Sequence, residues 1–358
     1  MVKTTTASDS TAAIAHPNTV ELSDGFKIVA QAPLAKLTTF RLGGQAQWLA
    51  LPKTSQQLRA ALIWGKENSL AVTMLGAGSN LLISDSGLPG LIICTRALRH
   101  SEFDPVTGRV IAAAGEPWSS LAWKAARNGL KGFEWTIGIP GTVGGAVVMN
   151  AGAHGGETAD LLVETEVITT DGQLSSLKPE DLAYRYRTSN LQSTNLQSTN
   201  LQSTNLQSTN LQSTNLQGTS SQEPNSSEPQ RHQRIVTSAT FQLSPGHDPA
   251  AIKAATAADL QQRRTTQPYH LPNCGSVFRN PPGHSAGKLI QTAGLKGYQI
   301  GNAQISTRHA NFIVNLGGAK ASDVLALIRH AQTVVCDRDG VQLETEVKMM
   351  GEFGENRT

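Results

Sequence analysis

Two spacings of apolar residues alternate along the chain, and turn residues punctuate them. From Ser55 to Asn68, Leu58, Ala61 and Leu62 recur at helical spacing with Thr54 or Ser55 as cap, which predicts an amphipathic helix. The runs Ala71–Leu75 and Leu81–Ile83 read as buried strands on either side of Gly76-Ala-Gly-Ser-Asn80, so residues from Leu37 to about Thr95 form a small α/β unit. Val110–Ala114 is a further strand, and Trp118–Leu130 a helix ended by Gly132. The alternation from Leu162 to Leu174 around Asp171-Gly172 is a hairpin signal, and the β-rich run Arg234–Leu243 is a strand. Asp248 and Pro249 open a helix whose Ile252, Ala255 and Leu260 share a face. A last helix starts near Ser322, turns Val324, Leu325, Ile328, Ala331 and Val335 inward, and stops at Gly340. The chain then alternates as one strand from Val341 to Met349, with Glu344 and Glu346 on the same face.

One stretch obeys neither spacing. Residues Asn190 to Thr214 are five copies of Asn-Leu-Gln-Ser-Thr, followed by Asn215-Leu-Gln217 and a polar tail to Gln230. Successive Leu residues five apart turn by about 500° around a helix, so they drift and form no stripe. The tract is polar and nearly uncharged, and it reads as a disordered insertion over 190–230. The predicted organisation is a disordered leader at 1–20, two α/β units at 21–96 and 97–245, and an α+β domain at 246–358.

Composition narrows the function. With 39% hydrophobic and 16% charged residues in 358, the chain can bury globular cores, and its length suits two or three domains. A net charge of +3, scattered along the sequence, describes no nucleic-acid face. Cys94, Cys274 and Cys336 match no zinc or disulfide spacing, which predicts reduced thiols and no metal. No apolar run has the length of a membrane-spanning helix, and the first twenty residues lack the apolar core of a signal peptide. The expected setting is therefore cytoplasmic.

Candidate chemistry lies in two glycine-rich loops after apolar strands. In Gly76-Ala77-Gly78-Ser79-Asn80, glycine allows positive φ and lets main-chain N–H groups approach an anion, and Ser79 and Asn80 add side-chain donors. The second loop, Gly138-Ile139-Pro140-Gly141-Thr-Val-Gly144-Gly145, continues to Ala151-Gly152-Ala-His154 and leaves room for a flat ring or a diphosphate. Neither loop is a Walker motif or a G-x-G-x-x-G that opens a helix.

Six segments in order carry a resemblance: Thr39-Phe-Arg-Leu-Gly-Gly44, Leu75–Leu82, Gly138–Ala146, Tyr186-Arg187-Thr-Ser189, Cys274-Gly-Ser-Val-Phe-Arg-Asn-Pro281 and Leu343-Glu-Thr-Glu-Val347. Together they resemble the UDP-N-acetylenolpyruvoylglucosamine reductase family, second type, from about residue 36 to 352 except for the repeat. Thr38 departs from the family's usual Asn. The resemblance implies a two-part FAD-binding region of the vanillyl-alcohol-oxidase type and a smaller C-terminal substrate domain. It implies non-covalent FAD on the two loops, with NADPH and a UDP-sugar as the reaction partners in peptidoglycan precursor synthesis. It assigns Arg187 to the substrate carboxylate, Ser276 to proton donation and Glu346 to a helper role that alternation alone does not separate from Glu344. It assigns Tyr186, Asn280, Lys288 and His309 to substrate contacts. Two other readings stand beside it: a different FAD-dependent oxidoreductase of the same fold, and a non-catalytic scaffold whose working part is the repeat. The sequence leaves the oligomeric state open.

Overall fold

The computed structural model describes residues 19–192 and 233–354. The first unit contains β1 (Thr19–Glu21), β2 (Lys27–Pro33), β3 (Gln45–Ala50), helix α1 (Ser55–Glu67), β4 (Val72–Leu75), β5 (Leu81–Ile83) and β6 (Leu88–Cys94). Five of these strands form a sheet in the order β1-β2-β3-β6-β4, antiparallel from β1 to β3 and parallel from β3 to β4. Thr54 caps α1 by accepting from the Gln57 N–H at 3.2 Å, and Leu58, Ala61 and Leu62 are buried as their spacing predicts. Each buried Leu contributes about 2 kcal/mol of hydrophobic stabilisation. Thr38 does its turn's work through its hydroxyl, which donates to the Leu42 carbonyl at 2.9 Å and accepts from the Leu42 N–H at 3.2 Å.

The second unit is a sheet in the order β12-β11-β13-β8-β7, formed by β7 (Ser101–Phe103), β8 (Arg109–Ala113), β11 (Leu162–Thr169), β12 (Leu174–Leu177) and β13 (Arg234–Gln242). Between β8 and β11 come α2 (Trp118–Arg127), α3 (Val143–Met149), the two-residue strands β9 (Gly152–Ala153) and β10 (Gly156–Glu157), and α4 (Thr158–Leu161). The predicted hairpin is β11–β12, closed where the Thr169 N–H donates to the Gln173 carbonyl at 2.9 Å with Gly172 at φ +86°. Helix α2 ends a turn earlier than predicted, because Gly129 takes φ +67° directly after Asn128.

The next helix, α5 (Pro249–Thr266), is capped by Asp248 as expected, but it packs on α2 rather than opening the last domain. Its inward face also differs. Ile252, Thr256 and Arg263 are buried, while Ala255 is exposed. The buried Thr256 hydroxyl is satisfied by the Ile252 carbonyl at 2.8 Å, which lets a polar residue take a core position.

The first residues of the repeat, predicted to be disordered, are part of the fold. Leu191 is wholly buried in the second core, and the Asn190 N–H donates to the Leu182 carbonyl at 2.9 Å. Asn190 to Gln192 therefore belong to the folded body, and the rest of the repeat lies outside the described residues. On the far side, Arg234 pairs with Thr169 at the end of β11. Both anchors are held by contacts outside the repeat, and the entropy of closing a connection grows only logarithmically with its length. Replacing Asn195–Gly218 with a Gly/Ser linker is accordingly expected to preserve the melting temperature, flavin content and most of the activity. Calorimetry and flavin absorbance check this, and an apoprotein that unfolds or fails to load flavin refutes it.

The third unit holds β14 (Gln299–Ile300), β15 (Ala303–Ile305) and β16 (Ile313–Asn315) in one antiparallel sheet, with α6 (Ala286–Thr292) and α7 (Ala321–Asp339). All five apolar positions predicted on α7 are buried, and Gly340 stops it in the left-handed region at φ +68°. This core also takes in Phe40, Leu42 and Leu82 from the first unit. Asn315 donates to the Phe40 carbonyl at 3.0 Å, and the Asp85 carboxylate caps α7 through the N–H groups of Ala321 at 2.7 Å and Ser322 at 3.0 Å. The predicted strand from Val341 to Met349 is not continuous. Glu344 and Glu346 exchange main-chain bonds with Arg279 and Val277, and only Lys348–Met350, β17, joins a ladder, parallel to β5. The segment crosses between cores: Leu343 and Val347 are buried in the third, Met350 in the first.

Candidate active site

A cavity of about 530 Å³ lies where the three units meet, within the range usual for a small-molecule site. The loop Gly76–Asn80 lines it, as do Ile139, Pro140, Gly141, Gly144, Gly145, Ala151 and Gly152. Gly138 does not; it faces a neighbouring cavity of about 400 Å³, where its carbonyl accepts from the Tyr269 hydroxyl.

The glycines are needed where the two loops meet. A Cβ on Gly76 would lie 2.8 Å from Thr142 Oγ1, and one on Gly78, at φ +63°, would lie 2.4 Å from the Leu37 carbonyl oxygen. Ser79 Oγ donates across to the Pro140 carbonyl at 2.7 Å, and the Arg96 guanidinium rivets the first loop through the carbonyls of Leu37 at 2.8 Å and Ala77 at 2.6 Å. Among the described residues, the main-chain N–H groups of Ala77, Gly78 and Ser79 have no protein acceptor. Consecutive free N–H groups on a glycine turn suit the diphosphate of FAD, so the residues present fit that cofactor.

Arg187 enters from a tight turn in which Arg185 and Thr188 exchange main-chain hydrogen bonds, both 3.0 Å. Arg187 itself adopts φ +54°, a conformation that costs an L-residue roughly 1–2 kcal/mol. Its Nε donates to Glu346 Oε1 at 3.1 Å and its Nη2 to the Gly152 carbonyl at 2.6 Å. Glu346 is mostly buried, and its backbone is tied to the first loop where Asn80 Nδ2 donates to the Glu346 carbonyl at 3.2 Å. Burial pushes the Glu346 carboxyl above its usual range, against the opposing pull of Arg187 and Arg279. Ser276 lines the same cavity, with no hydrogen-bond partner for its hydroxyl among the described residues. Glu344 is exposed, so burial separates the two glutamates where alternation could not.

The predicted substrate contacts are not brought to this cavity. Tyr186 is 54% exposed, with its ring 5.1 Å from the guanidinium carbon of Arg187. Asn280 Oδ1 accepts from the Ala286 N–H at 3.0 Å, and Lys288 is exposed on α6. His309 Nδ1 accepts from the Asn311 N–H at 3.3 Å, and its ring meets Phe312 edge-on. Burial and Lys296 lower its pKa. These three residues gather around the start of α6 instead, where a Cβ on Gly287 would lie 3.3 Å from His309 Cε1.

Sequence reasoning missed Lys348 and Gln192, which line the cavity. Lys348 stands two residues beyond Glu346, and burial with nearby Arg279 lowers its pKa. Its alternation with Glu346 was a usable signal. His154, taken as a loop residue, is an exposed residue at φ +52° on the cavity's edge. Cys274 is a buried free thiol whose pKa burial raises; Cys94 and Cys336 are also free. No cluster of metal ligands occurs among the described residues, nor any helix long and apolar enough to cross a membrane.

Known proteins resemble both the flavin-binding and the C-terminal parts of the chain. The pattern of the UDP-N-acetylenolpyruvoylglucosamine reductase C-terminal domain matches residues 267–350, and that of an FAD binding domain matches 46–178. Pentapeptide repeats match residues 189–220 in eight copies. The chain is 51% identical over 327 residues to a UDP-N-acetylenolpyruvoylglucosamine reductase from Trichormus variabilis, covering 91% of this chain and 87% of that one. It is 47% identical over 329 residues to one from Synechocystis, covering 92% of each. Among solved structures, the UDP-N-acetylenolpyruvylglucosamine reductase of Thermus caldophilus superposes with a TM-score of 0.67 at 33% identity, over 91% of this chain and 99% of that one.

Proposed function

The chain belongs to the UDP-N-acetylenolpyruvoylglucosamine reductase family of FAD-binding oxidoreductases, and from that premise we propose that it reduces UDP-N-acetylglucosamine enolpyruvate to UDP-N-acetylmuramate with NADPH, in peptidoglycan precursor synthesis. FAD, held along Gly76–Asn80 and the second glycine loop, would supply the hydride transfer from NADPH to the terminal carbon of the enolpyruvyl group. The protein's task is then to orient an unsaturated carboxylate, hold the negative charge that develops on it, and place a proton on the adjacent carbon.

Arg187 is the group for the carboxylate, since its fork binds such an anion bidentately and stays charged. Glu346 beside it holds the guanidinium in place, and its raised pKa suits a carboxyl that shares a proton with the substrate's acid group. Ser276 is the proton donor: a hydroxyl is a weak acid, but an enolate carbon is a strong enough base within hydrogen-bond reach. The observation that carries this reading is that Arg187, Glu346 and Ser276, from segments distant in sequence, line one cavity with both glycine loops. NADPH oxidation that depends on added UDP-N-acetylglucosamine enolpyruvate tests it; oxidation indifferent to that substrate refutes it.

FAD attachment is expected to be non-covalent. Covalent flavins need a nucleophilic His or Cys at the ring, whereas here Cys274 is a buried thiol with a raised pKa and His154 an exposed residue at the cavity's edge. Acid precipitation should leave all the flavin in the supernatant. A yellow pellet that survives washing refutes the expectation.

A further inference from the structure

We propose that Gln192 is a positioning residue for Arg187, an inference that rests on the role given to Arg187 above. Gln192 is the third residue of the first Asn-Leu-Gln-Ser-Thr copy, and its side chain lies on the wall of the cavity. Its Nε2 donates to the Arg187 carbonyl at 2.9 Å and to the Val148 carbonyl at 3.2 Å. One amide thus ties the strained turn to the end of α3, the helix that begins within the second glycine-rich stretch. Ser189 reinforces the tie, with Oγ donating to the same Val148 carbonyl at 2.6 Å and accepting from the Leu191 N–H at 3.3 Å. Leu191, wholly buried, fixes the segment between them.

The arrangement answers a specific need. Arg187 adopts φ +54°, a backbone setting that non-glycine residues leave readily unless their surroundings hold them. Relaxing that peptide would swing the guanidinium away from Glu346 and the Gly152 carbonyl. Gln192 holds the carbonyl end of the Arg187 residue, and the turn's own bonds hold its neighbours Arg185 and Thr188. Later copies repeat the Leu-Gln pair, but they lie outside the described residues.

The test is a double-mutant cycle on the flavin-loaded enzyme, read as single-turnover reoxidation by UDP-N-acetylglucosamine enolpyruvate. Gln192→Met keeps the length and removes the donor. It is expected to lower the rate constant for reoxidation by that substrate by about tenfold, the scale of one or two hydrogen bonds, with flavin reduction by NADPH unchanged. In an Arg187→Ala background the same change should cost less than about twofold, because the group it positions is gone. Gln192→Lys, which restores a donor, should keep most of the parent rate and covers the case in which Met impairs folding. Equal losses in both backgrounds, or a loss in Gln192→Lys as large as in Gln192→Met, would make Gln192 a packing residue and overturn the proposal. No loss in Gln192→Met while Arg187→Ala is crippled overturns it also. Should Arg187→Ala itself cost nothing, the reading of Arg187 fails first, and this inference with it.

Discussion

Replacing Ser276 by alanine should slow reoxidation of the reduced enzyme by the enolpyruvyl substrate by about 10²–10⁴-fold, the usual cost of losing a general acid. Reduction of the flavin by NADPH should stay near the parent rate, since no proton need reach a substrate carbon in that half. The structure makes this a clean substitution. The Ser276 hydroxyl has no protein partner among the described residues, so its removal strands no buried donor or acceptor. The surrounding backbone is held independently: the Gly275 N–H donates to Asn273 Oδ1 at 2.9 Å, and the Val277 N–H to the Asn311 carbonyl at 2.8 Å. Stopped-flow absorbance of the flavin separates the two halves. Equal slowing of both would assign Ser276 to the turn rather than to the chemistry.

The elements that periodicity predicted best are those that bury a regular face against one partner. Helices α1 and α7 fall where their Leu, Ile and Val spacing places them, because each lies on a single core along its length. The pattern names a buried face without naming what buries it. Helix α5 therefore read correctly as a helix but was grouped with the wrong core, since an apolar stripe facing α2 looks the same as one facing a later sheet. Thr256 escaped notice on that stripe because its hydroxyl is satisfied within the helix, a bond the sequence does not display. The final strand failed for another reason. Alternation from Val341 onward is real, but a ladder also needs a neighbour, and β17 finds one only where it reaches β5 in the first unit.

For the site, the glycine loops were legible as loops, and their convergence was not. That Gly76 abuts Thr142 is a consequence of tertiary packing, as is the departure of Gly138 to the neighbouring cavity. Arg187, Ser276 and Glu346 rested on the family resemblance alone, since alternation did not even separate Glu346 from Glu344. Gln192 was hidden by repetition. Identical pentads carry no mark of what each copy contacts; the burial of Leu191 and the bond from Gln192 to Arg187 are visible only in the fold.

Glu346→Gln should disable the reaction with the enolpyruvyl substrate by about 10²-fold or more, while Glu344→Gln leaves it within about twofold of the parent. Glu344 is exposed and contributes its main-chain carbonyl to Arg279, a bond the substitution keeps. Glu346 faces Arg187 inside the cavity, and the amide that replaces it can still accept from Nε but cannot carry charge or release a proton. The same variant should show the cost of keeping that carboxyl buried. Its folded pKa is raised above the ordinary 4.5, so the native state holds the proton to a higher pH than the unfolded chain does. Above the folded pKa the native state carries a partly desolvated charge, and stability falls as pH rises through that value. Below the ordinary value Glu346 is protonated in both states and contributes no difference. Glu346→Gln should therefore melt at a higher temperature than the parent at neutral pH, and the two curves should converge as pH falls below the usual carboxyl range. Melting curves across that range decide the matter. A variant less stable than the parent at neutral pH would mean that the ion pair with Arg187 outweighs desolvation, and that Glu346 is held there as a charge rather than as a proton carrier.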